Sequence, residues 1–195
     1  MINKEELSKL VETEGEVKGV VFQTDAKYVL EKEGEAGLKK IEDKAKEVGL
    51  SIDYKSGAMD SYPIGLRIAS LLLIKEVFSW PDSEIRNIGY TAPKTSFMVK
   101  LLMKFFISIE KFVKKIPTFW EQHYTRGKLE VVSFNNEKKE LLLRLTGAEV
   151  HPTLFVYLEG YFEKMLQFLE KTSKAEMKET VHEGTPCHEC LIKWE

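Results

Sequence analysis

Apolar residues recur every three or four positions through the first two-thirds of the chain and switch to alternation after Gly127. The spacing predicts a short charged helix over 3–14 carrying Leu7, Leu10 and Val11, then an extended entry over 17–22. Thr24 or Asp25 is suited to cap the next helix, which ends near Gly34. Residues 35–48 place Leu38, Ile41, Ala45 and Val48 at 3-4-3 spacing, and Gly49 stops that helix. A loop over 50–60 leads to Pro63 at the first position of a helix reaching about Ser79. This helix is apolar on most sides and must be central; Arg67 is its one charge before Lys75. Further helices are expected over 83–90 and 97–107, and from a Ser108 cap through Phe112 to Tyr124, with a kink or restart at Pro117.

Beyond Gly127 the period is two. Residues 129–134 and 140–146 read as strands joined by a hairpin turn over 135–138, with Leu141, Leu143 and Leu145 on the inward face. His151-Pro152-Thr153 opens a helix to about Lys171, with Leu154, Leu158, Tyr161, Met165, Phe168 and Leu169 on its buried stripe. A second hairpin closes the chain around a turn at 183–186, the Val181 and Trp194 faces forming one apolar side turned to the core. The order predicts an α+β fold: a helical N-terminal two-thirds packed on a four-stranded antiparallel sheet, two hairpins linked by a long helix. Residues 1–195 are expected to form a single domain with 1–15 as a helical N-terminal extension.

Composition narrows the class. With 43% hydrophobic and 31% charged residues the chain reads as a folded globular protein, and a net charge of −2 gives no reason to expect nucleic acid. No apolar stretch is long enough to span a bilayer, the opening residues lack a signal peptide's apolar core, and a cytoplasmic location is expected. Abundant Lys and Glu beside sparse Arg, Asn and Gln lean towards a heat-adapted source.

Two sets of residues carry candidate chemistry. His182, Cys187, His188 and Cys190 are four zinc-type ligands within nine residues, so a structural zinc is possible. Strand alternation opposes one tetrahedral site, because His182 and Cys187 would share the outer face while His188 and Cys190 point inward. Cys187 near His182 could also serve as nucleophile and base, although no oxyanion site is evident. The second set is an aromatic and Met-rich interior of Phe97, Met98, Phe105, Trp120 and Tyr124, with Arg67 and His123 as sparse polar anchors and Tyr62 as a further candidate binding residue. Arg67 requires a carboxylate or anion, most simply an Asp or Glu from 50–60.

The closing pattern His182-x-Gly184-x-Pro186-x-His188-x-x-x-Ile192-x-Trp194 resembles the end of 4-vinyl-reductase-type domains. Residues 18–22, Tyr62-Pro63, 116–124 and 127–131 are similar to a related family of unknown function abundant in myxobacteria. Both belong to the ligand-binding fold shared by nitric-oxide-sensing haem domains and vesicle-tethering TRAPP subunits. The resemblance implies an interior pocket between helices and sheet, often in a dimer, binding small apolar molecules or acting as a sensor. The family's cysteine falls on His188 here, flanked by Cys187 and Cys190. No Tyr-x-Ser-x-Arg-type haem signature occurs, so no haem is expected. The expectation is therefore a non-catalytic, homodimeric binding or sensory domain without a cofactor. A scaffold protein with zinc at the closing hairpin and a Cys/His enzyme are the alternatives.

Overall fold

Helices and strands follow one another in the predicted order, and together they build an α+β fold. The computed structural model describes residues 4–96, 99, 108–148, 150–170 and 172–195. Its elements are α1 (Lys4–Val11), β1 (Glu16–Lys18), α2 (Val20–Glu47), β2 (Ser61–Pro63), α3 (Ile64–Val77), α4 (Asp82–Thr95), α5 (Ile109–Val113), α6 (Ile116–His123), β3 (Lys128–Asn135), β4 (Glu140–Thr146), α7 (Thr153–Leu166), β5 (Ser173–His182) and β6 (Thr185–Trp194). The helix expected over 97–107 lies, apart from Val99, outside the described residues.

All neighbours in the four-stranded sheet are antiparallel, in the order β3-β4-β6-β5. Leu129, Leu141, Leu143, Leu145, Ile192 and Trp194 are buried on its inner side. Trp194 stacks on Phe134 at 6.0 Å. β1 and β2 form a separate two-stranded sheet that ties the start of α2 to the start of α3.

The continuous apolar run of α3 has the consequence expected of it: every residue from Ile64 to Ile74 is buried. Each such Leu or Ile side chain contributes about 1.5–3 kcal/mol relative to exposure. α1 seals part of this helix, with Leu7 fully buried among Ala45, Ala69 and Leu73. Gly65 permits that contact, since a Cβ there would meet the Leu10 carbonyl oxygen at 1.7 Å.

α4 and α7 cross at backbone contact for the same reason. A Cβ on Gly89 would lie 1.9 Å from the Tyr157 carbonyl oxygen, and one on Gly160 would lie 2.0 Å from that of Arg86. At the crossing Arg86 donates from Nε to Glu159 Oε1 and from Nη2 to Glu163 Oε2, both at 2.6 Å. The same two carboxylates accept from the edge strand: the Ala175 N–H donates to Glu163 at 2.9 Å and the Met177 N–H to Glu159 at 3.0 Å.

Several local expectations are corrected. The run at 17–22 divides, Val17 and Lys18 lying in β1 as an extended entry and Val20 to Phe22 opening α2, so Asp25 lies inside that helix instead of capping one. The end expected near Gly34 is present as a break inside α2, where a φ of 68° interrupts the helical backbone. Pro63 ends β2 and precedes α3. α7 ends at Leu166, before the predicted end near Lys171, and Phe168 beyond it is exposed. The closing turn is two residues, Glu183 and Gly184, both at positive φ, which pairs His182 with Thr185 and Thr180 with Cys187. Val181 shares the Trp194 side but extends past the core and is 70% exposed.

Candidate functional site: a cavity between helices and sheet

The inner face of the sheet and the helices stacked on it do not close completely. A cavity of about 90 Å³ remains, walled by α2, α4, α5, α6 and α7 on one side and by Leu129, Leu141, Leu143 and Ile192 of the sheet on the other. Its lining is overwhelmingly apolar, and its polar groups are few: Thr24, Ser96, His123 and the hydroxyls of Tyr124, Tyr157 and Tyr161. Such sparse polar anchoring in an apolar hollow is the usual form of a small-molecule site.

α6 is the best-anchored wall. Trp120 stacks on Tyr124 at 4.3 Å, and its Nε1 donates to the carbonyls of Arg126 and Gly127 at 3.2 and 3.0 Å. Tyr124 also forms an isolated antiparallel bridge with Val17, and the Thr125 N–H donates to the Glu16 carbonyl at 3.0 Å. The C-terminal end of α6 is thereby fastened to both β1 and β3. On this wall His123 Nδ1 lies 2.8 Å from the Phe119 carbonyl oxygen. A carbonyl only accepts, so Nδ1 carries the proton and in the neutral ring the lone pair falls to Nε2.

Burial pushes the phenols of Tyr124, Tyr157 and Tyr161 up, so all three remain neutral donors. For Tyr124 and Tyr157 the Arg67 guanidinium opposes that rise, which places a cation immediately behind them. Arg67 is fully buried, lies 4.4 Å over the Tyr157 ring and donates from Nη1 to Asp25 Oδ2. Asp25 is equally buried, and among the described residues its Oδ1 has no hydrogen-bond partner; neither do Nε and Nη2 of Arg67.

The sequence-predicted binding residues therefore separate. Trp120, His123 and Tyr124 line the cavity together. Arg67 stands behind it, paired with Asp25 of α2 where a carboxylate from 50–60 was expected. Tyr62 is half-buried in β2, edge-on to Phe22 at 5.4 Å, and is not part of the lining. Phe97, Met98 and Phe105 lie outside the described residues. Sequence reasoning missed Tyr157 as a site residue and took Tyr161 only as core. Their four-residue spacing on the apolar side of one helix was the available signal.

The closing hairpin scatters its four candidate ligands. His182 sits by Arg144, Nε2 to Nη1 at 3.3 Å, and Cys187 Sγ lies 3.1 Å from Thr180 Oγ1. The His188 ring stacks on Phe155 at 3.3 Å, and Cys190 is buried, its thiol pushed up chiefly by desolvation. Cys187, expected to be exposed, is buried as well. Alternation along β6 sends Cys187 and His188 to opposite faces. Among the described residues no three His, Cys, Asp or Glu side chains gather as a metal site. No described helix is long and apolar enough to cross a membrane.

No protein-family model matches the chain, and no curated protein does. Solved structures match over most of its length. A doubly substituted Tt H-NOX protein aligns at 15% identity and a TM-score of 0.66, covering 91% of this chain and 95% of that one. An oxygen-binding H-NOX domain related to soluble guanylate cyclases, in its oxygen complex, aligns at 14% and 0.60, with the same coverage. A structure from work on haem distortion in the H-NOX family aligns at 13% and 0.65, again covering 91% and 95%. These comparisons overturn the expectation of a chain with no cofactor or with zinc, because the matched proteins are haem-domain structures and the hairpin assembles no ligand set. At such identities the likeness concerns architecture: the chain has the H-NOX fold.

Proposed function

We propose that residues 1–195 act as one sensory unit that binds a small apolar molecule between the helices and the sheet, without catalysing a reaction. The observation that carries this reading is the apolar cavity with its few neutral polar groups, enclosed where the fold's two layers meet. The 4-vinyl-reductase-type resemblance belongs to the same proposal, since it implies the same interior pocket. Association into a homodimer is part of it too, and sedimentation of the purified chain at two concentrations measures that directly.

Haem is the first ligand to test, because the matched structures are described by it. The donor chemistry fits. His123 lines the cavity with Nδ1 held by the Phe119 carbonyl, the arrangement by which ligating imidazoles are oriented, and the surrounding walls are apolar. The space does not yet fit: about 90 Å³ is well below the roughly 300–1,000 Å³ of ordinary ligand pockets, so loading requires the walls to part. When bound, haem supplies an iron at which a diatomic gas can coordinate. His123 would hold that iron, and the Trp120–Tyr124 stack would exclude water from it.

The test is a haemin titration followed by absorbance and by thermal unfolding, beside a titration with a small hydrocarbon. Saturable haemin binding that raises Tm, with its absorbance band altered in His123→Gln, supports haem on His123. Stabilisation by the hydrocarbon without haemin binding removes haem and leaves the apolar site. No shift from either removes the sensory reading. At a hundred times Kd the expected stabilisation is about 2.7 kcal/mol.

A further inference from the structure

Arg67 and Asp25 are the feature the apolar cavity does not account for. Both are fully buried, yet only one hydrogen bond joins them, and among the described residues Arg67 Nε, Arg67 Nη2 and Asp25 Oδ1 find no partner. Buried polar atoms in native proteins nearly always have partners, and these three cluster on one ion pair. The pair adjoins the cavity through three lining residues. Thr24 immediately precedes Asp25, the guanidinium lies 4.4 Å over the Tyr157 ring, and Tyr124 is the second phenol beside it.

We propose that this pair is the polar end of the ligand site and holds the uncharged hydrogen-bonding head of an otherwise apolar molecule, a hydroxyl or a primary amide. The inference rests on the binding role proposed above and specifies the ligand class. The two charges already cancel. A carboxylate head would gain the N–H donors of Arg67 but would face the second, ionised oxygen of Asp25. An uncharged head that both accepts and donates answers Arg67 Nε or Nη2 and Asp25 Oδ1 together. Tyr124 and Tyr157 form the gate through which the head reaches the pair, while the apolar body stays against Leu141, Leu143 and Ile192.

Pentane, 1-butanol, butyramide and butyrate, titrated into the full chain and followed by NMR chemical shifts, separate the possibilities. The alcohol and the amide are expected to bind at least tenfold more tightly than pentane, and butyrate no more tightly than pentane. Replacing the pair together, Arg67→Met with Asp25→Leu, should abolish that tenfold preference and retain pentane. Asp25→Asn, which keeps the shape but leaves Arg67 uncompensated, should turn the preference towards butyrate. Equal binding of pentane and the two uncharged heads overturns the polar end but leaves the apolar site standing. Butyrate as the tightest ligand of the unmodified protein also overturns it, in favour of an anion site. If none of the four binds, the binding role itself falls.

Discussion

Removing one member of the Arg67–Asp25 pair should be among the most damaging single changes in the chain. Both side chains are 0% exposed, so Asp25→Ala strands a guanidinium with no water to solvate it, and Arg67→Met strands a carboxylate. Breaking a buried pair in this way costs about 3–5 kcal/mol, against a total stability on the order of 5–15 kcal/mol. With a urea m-value of about 2–3 kcal/mol/M, each variant should lose roughly 1–2.5 M of its denaturation midpoint. Arg67→Met with Asp25→Leu removes both charges and keeps most of the volume, so it should recover at least half of the summed loss. Urea unfolding of all four proteins, followed by circular dichroism, completes the cycle. Single-variant losses below about 1 kcal/mol, or strictly additive losses, would show that the pair is solvated. The polar end of the cavity would then have no basis.

Three further outcomes are expected. Gly160→Ala forces a methyl to within 2.0 Å of the Arg86 carbonyl oxygen, so α4 and α7 must separate; a cost of about 1–3 kcal/mol should lower Tm by several degrees, and an unchanged Tm refutes the crossing. His151 and His188 have pKa values lowered mainly by burial. The unfolded chain therefore takes up more protons once pH drops below the ordinary histidine value of about 6.5, and stability should fall as pH descends from there towards the folded values. His188→Gln should flatten that slope between pH 7.5 and 5.5 in urea titrations, and an unaltered slope counts against a half-buried ring on Phe155. Cys187 and Cys190 are both buried, and desolvation holds the Cys190 thiol protonated, so a disulfide reagent at pH 8 should label neither before urea is added. Prompt labelling of Cys190 in the native protein would contradict its place beneath α7.

The sequence was most legible where one period ran long. The alternation of Leu141, Leu143 and Leu145 and the unbroken apolar run of α3 led straight to the sheet's inner face and the central helix. It was least legible where a single contact between distant segments decided the outcome. Asp25 looked like a helix cap, because nothing near it in the chain shows that Arg67, forty-two residues on, lies against it. The clustering of His182, Cys187, His188 and Cys190 suggested a metal, but a two-residue turn fixed a register that parts them. His123 and Trp120 were found because a polar or large aromatic group on a short apolar helix stands out, whereas Tyr157 was hidden among the many apolar residues of α7. The helix break at Gly34 was legible too, because a glycine between two apolar-periodic stretches marks the end of one and the start of the next.

One helix touches both the inside and the rim of the molecule. Tyr157, Leu158 and Tyr161 of α7 face the cavity, while Glu159 and Glu163, between and just beyond them, grip Arg86 and the outward amides of β5. A guest that rolled α7 outward would drag both carboxylates off Ala175 and Met177. The bared amides of an edge strand are a template for pairing with another chain. Filling the interior and opening a seam for assembly would then be a single mechanical event.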